Sequence, residues 1–252
     1  MTGTSALFVP DVRIAADAVA FPELSASFFI ASLEKLKSPL VVLPTGNTPL
    51  GMYDVLATKY LGRRDLWDNM RFLALDEYAG LASNDARLFS GWLTKVFLDR
   101  VGIPVANRTF FQSDAANPVQ EIARIQNFLR TSGPVDIAVL GLGANGHLGM
   151  NEPGSAFDSP TRLIALTPET IKSGAAYWGS EAAVPRTAYT LGLGDLLQAK
   201  QVMLLVNGAA KADILASTLT DTVGVSIPAT SLRTRADVVV VADATAALKL
   251  KP

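Results

Sequence analysis

Short, wholly apolar runs alternate along this chain with longer segments of helical spacing. Leu40–Leu43, Phe72–Leu75, Ile137–Leu142, Val202–Val206 and Val238–Val241 are continuous apolar runs of strand length. Such runs suit strands buried on both faces, as in a parallel sheet. Between them, Thr48 and Pro49 read as an N-cap and a first helical residue, opening a helix through Leu56. Asn84–Arg100 and Pro118–Arg130 have helical period and length, and Lys211–Leu219 forms another such segment after Asn207-Gly208. Strands separated by helices imply right-handed crossovers and helices on both faces of the sheet. The expected fold class is α/β, a three-layer α/β/α arrangement around a mainly parallel sheet. No internal repeat, low-complexity tract or linker-like stretch divides the chain, so residues 1–252 are expected to form one domain.

Composition narrows the function classes. The 252 residues carry 22 Lys+Arg against 23 Asp+Glu, a net charge of −1, which lacks the basic excess that phosphate-backbone binding needs; no nucleic-acid partner is expected. Hydrophobic residues make up 49% and charged residues 18%, the balance of an ordered globular protein. There is no cysteine, so disulfides, thiolate nucleophiles, iron–sulfur clusters and thiolate zinc sites are excluded. The single histidine, His147, excludes any site built on two imidazoles. The longest stretch free of Asp, Glu, Lys and Arg, Ser38–Tyr53, contains Pro, Thr, Gly and Asn, and nothing reaches the roughly 18 apolar residues of a membrane helix. No basic region followed by an apolar one marks the start of the chain. A cytoplasmic protein without a membrane partner is the expectation.

Three chemistry-bearing segments follow predicted strands, where open α/β sheets place their ligand crevice. In Pro44-Thr45-Gly46-Asn47-Thr48-Pro49 a strand turns tightly into a helix. Free N–H groups at a helix start attract an anion, Gly46 permits close backbone approach, and Thr45 and Thr48 add hydroxyls. The same segment also reads as a capped turn with no ligand. In Asp76-Glu77-Tyr78-Ala79-Gly80 adjacent carboxylates point to opposite sides of an extended chain, so one can face the crevice as a general base; a solvated acidic turn or a helix cap is the alternative. Gly141–Gly154 is a glycine-dense turn holding His147, with Glu152 near enough to orient an imidazole. Here an ordinary loop histidine is the alternative. Lys211, at the start of a helix after a strand, and Arg162 and Arg186 are further candidates for an anion site, each against a solvated surface charge.

Taken together these segments resemble the glucosamine-6-phosphate deaminase (isomerase) family, galactosamine-6-phosphate isomerases included. The likeness is carried by Pro44–Pro49, Leu75–Leu81, Gly141–Glu152 with its Gly-His and Asn-Glu-Pro, Leu191–Asp195 and Gly208–Lys211. It keeps one order and spacing from about residue 40 to 235. The resemblance implies a Rossmann-like sheet and a reaction without metal or cofactor. In that reaction a 2-amino-2-deoxyhexose 6-phosphate becomes a ketohexose 6-phosphate plus ammonia. By similarity His147 assists ring opening, flanked by Glu152 and Asn145. Asp76 moves a proton between C2 and C1, and Thr45, Gly46, Asn47, Thr48 and Lys211 hold the phosphate. The implied partner is a small sugar phosphate, and the implied state a monomer or small homo-oligomer.

Three departures stand out. Asn145 replaces the Asp of some members, although others share the Asn. The family arginine that grips the phosphate falls near Ala176 and is missing. Ile164 stands where regulated hexameric members have a lysine, so that regulation is not expected. Two other functions compete. The 6-phosphogluconolactonases share the Gly-His turn but follow it with an Ala-Ser-Leu-Phe-Pro-like run and place an Arg after the Asp-Glu pair; Leu148–Pro153 and Tyr78 differ here. A non-catalytic sugar-phosphate sensor would need neither Asp76 nor Glu152.

Overall fold

The computed structural model describes residues 7–250. Its strands are β1 (Asp11–Ala15), β2 (Leu40–Leu43), β3 (Arg71–Ala74), β4 (Asp76–Tyr78), β5 (Arg108–Thr109), β6 (Ile137–Gly141), β7 (Arg162–Ala165), β8 (Thr187–Thr190), β9 (Gln201–Val206) and β10 (Val238–Asp243). The helices are α1 (Ala20–Leu33), α2 (Asn47–Lys59), α3 (Arg64–Trp67), α4 (Phe89–Leu93), α5 (Asp99–Val101), α6 (Pro118–Ser132), α7 (Pro168–Trp178), α8 (Leu193–Leu196) and α9 (Ala212–Thr220). Seven strands pair in parallel in the order β1-β10-β9-β6-β2-β3-β5, the α/β sheet the sequence predicts. All four residues of β2 are fully buried, which is why that strand reads as an unbroken apolar run.

The structure also departs from the sequence expectations. The Asp76 segment is not a turn but strand β4, which pairs antiparallel with β8 in a second sheet, β4-β8-β7. The chain bends at Leu75, between β3 and β4, and so passes from the large sheet into the small one. The helix expected over Asn84–Arg100 begins only at Phe89, because Asp85 accepts the Arg87 N–H and holds a turn ahead of it; Thr94–Leu98 then winds as a π-helical segment. Helix α2 starts at Asn47, with Gly46 at φ +99° as its N-cap; Thr48 does not cap it but donates its hydroxyl to Asn207. Lys211 ends a 3₁₀ turn and serves as the residue before α9. Strand β1 and helices α1 and α7 were not anticipated.

Two apolar clusters result. The larger fills both faces of the parallel sheet. A smaller one, Tyr78, Leu166, Trp178, Val184 and Ala188, lies under α7 and against the small sheet. Within the larger, Phe97 stacks on Tyr53 at 4.9 Å between ring centroids and meets Trp67 edge-on at 5.9 Å. The Tyr53 hydroxyl donates to the Pro44 carbonyl at 2.6 Å, so this aromatic group also pins the turn after β2. No helix among the described residues is long and apolar enough to cross a membrane.

Phe97 is fully buried. Phe97→Ala removes a large ring from a packed cluster and should cost about 3–5 kcal/mol of unfolding free energy, read from the denaturant midpoint.

Candidate active site

The carboxyl ends of β2, β3 and β6, the bend into β4, and helix α7 enclose a cleft of about 710 Å³. Pro44–Thr48, Asp76, His147 and Lys211 line it together. Asn145 and Glu152 lie behind His147 and reach the cleft through it.

The turn Gly141–Gly154 fixes the imidazole. Gly143 N–H donates to the His147 carbonyl and Gly146 N–H to the Gly143 carbonyl, closing a tight loop. Gly146 takes φ +83°, a backbone conformation that favours glycine. A Cβ on Gly143 would run into the His147 ring. Asn145 Oδ1 accepts from His147 Nδ1 at 2.8 Å, and Asn145 Nδ2 donates to Glu152 Oε2 at 2.7 Å. An ionised Glu152 can only accept, which sets the amide's orientation; Oδ1 can then only accept, which puts the imidazole proton on Nδ1. Nε2 is left with its lone pair. Glu152 Oε1 is 3.6 Å from His147 Nδ1 and also accepts from the Thr170 hydroxyl. Burial opposes its charge, but His147, Thr170 and Asn145 outweigh burial and hold its pKa at about 2.

Asp76 is the opposite case. It is buried at the bend, and its pKa is pushed up to about 7, first by desolvation and then by the neighbouring Glu77 charge. Glu77 points the other way, accepting from the N–H groups of Phe89 at 3.0 Å and Ser90 at 2.8 Å. It therefore holds the start of α4, as alternation along an extended chain requires.

Lys211 lines the same cleft as the Thr45–Thr48 turn. Burial alone lowers its pKa; no carboxylate among the described residues compensates it. Gly46 leaves open space where a side chain would stand. Asn47 Nδ2 donates to the Tyr177 hydroxyl at 3.3 Å, and Thr48 Oγ1 to Asn207 Oδ1 at 2.9 Å.

Two sequence candidates fall outside. Arg162 turns inward to Asn151 at 2.8 Å, Ser159 at 3.2 Å and Ser155 at 3.1 Å, stapling the segment after the histidine turn. Arg186 is exposed and does not line the cleft. Conversely, Arg87, Thr170, Tyr177 and Trp178 belong to the site and were missed. Only the Thr167-Pro168 helix start signals α7 in the sequence. A second cavity, about 540 Å³, lies at the opposite end of the parallel strands. Of its charges, Lys200 pairs with Asp136, and Arg235 caps the Leu197 and Lys200 carbonyls.

Residues 20–241 match the family described as Glucosamine-6-phosphate isomerases/6-phosphogluconolactonase. The chain belongs to that family. Among its relatives in the glucosamine-6-phosphate isomerase family, a glucosamine-6-phosphate deaminase of Geobacillus sp. (strain WCH70) is 32% identical, over 90% of this chain and 92% of its own. One of Lacticaseibacillus paracasei (strain ATCC 334) is 36% identical over 82% and 85%. A solved structure described as a monomeric glucosamine-6-phosphate deaminase superposes with a TM-score of 0.90 at 29% identity, over 95% of this chain and 99% of its own. The 6-phosphogluconolactonase of Trypanosoma brucei shares the fold, with a TM-score of 0.75 at 21% identity over 97% and 100%.

Gly143→Ala should displace the imidazole while leaving the sheet untouched. Turnover should fall at least about tenfold with little change in melting temperature, the cost expected when a proton-transfer group loses its aim. Kinetics beside thermal unfolding will check it.

Proposed function

We propose that this chain converts a 2-amino-2-deoxyhexose 6-phosphate and water to a ketohexose 6-phosphate and ammonia, acting as one domain. Glucosamine 6-phosphate and galactosamine 6-phosphate are the substrate class. The observation that carries this reading is one cleft lined by the buried carboxyl Asp76, whose pKa is pushed up to about 7, and by His147, the only imidazole, which Asn145 and a Glu152 held at about 2 back from behind. Environments that separate two acids assign them different work. The names of the relatives at 32% and 36% identity support deamination, whereas the lactonase likeness is one of fold.

In this mechanism the Thr45–Thr48 turn and Lys211 hold the phosphate. His147 transfers the proton between ring oxygen and anomeric hydroxyl as the sugar opens, and Asn145 with the ionised Glu152 keeps its tautomer. Asp76 then takes the C2 proton as the C1–C2 double bond forms and the C1 carbonyl pair moves onto O1, which is protonated; the proton returns from Asp76 to C1 as the lone pair of the C2 amine forms the carbon–nitrogen double bond. The C2 imine so formed adds water and expels ammonia. A base with a pKa near 7 is well matched to a proton that must be both taken and returned. The reading includes a monomer in the cytoplasm, in keeping with the monomeric state named for the solved deaminase. The test measures ammonia release from both amino-sugar phosphates beside lactone hydrolysis. Ammonia without lactone hydrolysis supports deamination; lactone hydrolysis alone, or neither activity, overturns it.

Asp76→Asn keeps the shape and removes the base, so turnover should fall roughly 10²–10⁴-fold. In the unsubstituted protein kcat/KM should rise with pH through about 7, because the ionised carboxylate is the active form. Stability runs the other way. Between the ordinary carboxylate pKa and about 7 the native state binds more protons than the unfolded chain, so stability falls as pH rises. Asp76→Asn should therefore melt higher than the unsubstituted protein at pH 8 and no higher at pH 3, in paired thermal scans.

Lys211→Ala should weaken a phosphorylated substrate at least about tenfold, a charge-assisted hydrogen bond being worth about 1.5–3 kcal/mol, and an unphosphorylated amino sugar far less. KM measured for both sugars decides it.

A further inference from the structure

We infer that Arg87 is a second cationic anchor for the substrate's phosphate, lining the same cleft as Lys211. The inference rests on the sugar-phosphate reading above and names a residue that neither that reading nor the family likeness assigns.

Helix α7 gives the cleft a direction. At one end Thr170 donates to Glu152, beside the imidazole; at the other, the Tyr177 hydroxyl accepts from Asn47 of the anion-binding turn. Seven residues of helix separate these contacts by about 10 Å. Trp178 follows Tyr177, at the turn's end, and the Arg87 guanidinium lies over its ring at 4.2 Å. Arg87 therefore lines the same cleft as the Thr45–Thr48 turn and Lys211, at the Tyr177–Trp178 end of α7.

Its geometry is that of a held donor. Nε and Nη2 grip Asp85 Oδ1 and Oδ2 at 2.8 and 2.6 Å, and the aromatic face fixes the plane. Nη1 has no hydrogen-bond partner among the described residues, and the side chain stays about half exposed. A guanidinium fixed along one edge and one face, with its remaining end at a cleft, is preorganised for an oxygen anion. The charge balance asks for such a group. A phosphomonoester carries about −1.5 to −2 near neutrality, and Lys211 supplies one positive charge. Ala176, on the same helix, offers only an exposed methyl. Arg162 is committed elsewhere, and Arg186 does not line the cleft. Because Asp85 offsets part of the Arg87 charge, its contribution should be directional and smaller than that of Lys211.

The experiment measures binding of 2-amino-2-deoxyglucitol 6-phosphate and of its unphosphorylated counterpart to the full chain, unsubstituted and as Arg87→Met and Arg87→Lys. Methionine keeps an unbranched stem over Trp178, and thermal midpoints and tryptophan fluorescence monitor that packing. Arg87→Met should weaken the phosphate ester about tenfold, the low end for a charge-assisted hydrogen bond, and leave the unphosphorylated alcohol unchanged. Arg87→Lys keeps the cation but loses the fork, and should fall between. Equal loss for both ligands would show that Arg87 acts through the packing of α7 and overturn the inference, as would no loss for the ester. An unsubstituted protein that does not prefer the ester overturns the sugar-phosphate reading itself, before any variant is compared.

Discussion

Asp76 sits where the chain leaves the parallel sheet at Leu75, and burial there withdraws water from its carboxyl without supplying a compensating positive charge. An acid in that position resists ionisation, and everything around it either preserves or exploits that condition. Glu77, next in the chain, is turned away and neutralised by the N–H groups opening α4, yet its charge still adds to the pressure on Asp76. β4 pairs antiparallel with β8, which pairs in turn with β7, so the Asp76 segment is held in a sheet of its own. Without the second sheet the same residue would be an ordinary solvated carboxylate.

The histidine turn works by opposite means. Glu152 is also withdrawn from water, but Asn145 and Thr170 donate to it and His147 lies beside it, so it stays charged and orders the groups in front of it. Orientation passes along a chain of groups that can each satisfy only one arrangement: carboxylate, amide, imidazole. An aspartate at position 145 would place a second negative charge in that chain, where asparagine transmits direction without it. Thr170 connects this chain to α7, and Asn47 connects α7 to the turn after β2, so one short helix is in register with both ends of the cleft.

Much of this was legible in the sequence, and the exceptions have physical causes. Doubly buried parallel strands announce themselves as apolar runs, and β2, β6, β9 and β10 stand close to where those runs lie. Strand β1 escapes because it is an edge strand carrying Asp11 and Arg13 among its five residues. Helix α1 is apolar on most sides, which erases the amphipathic stripe that marks a surface helix. Strand β4 is three residues of acidic and aromatic character, a signature shared with turns, and only the distant β8 makes it a strand. His147 was conspicuous as the only imidazole; Glu152 followed from its nearness along the chain, and Asn145 only from the family resemblance. Arg87 was not, since next to Asp85 it reads as a local surface pair; its place at the cleft is created by Trp178, far along the chain.

The separation of the apolar residues into two clusters has a consequence of another kind. The cleft is a seam: its floor is anchored in the large cluster beneath the parallel sheet, while Tyr78 and Trp178 on its wall belong to the small one. Clusters that do not share side chains need not unfold as one, and elements tied mainly to the smaller can open at lower cost than the body of the molecule. Tyr189 of the small sheet already stacks on Phe111 of the large cluster, and a ligand spanning the seam adds its own contacts to that link, so part of its binding energy goes into coupling the two clusters.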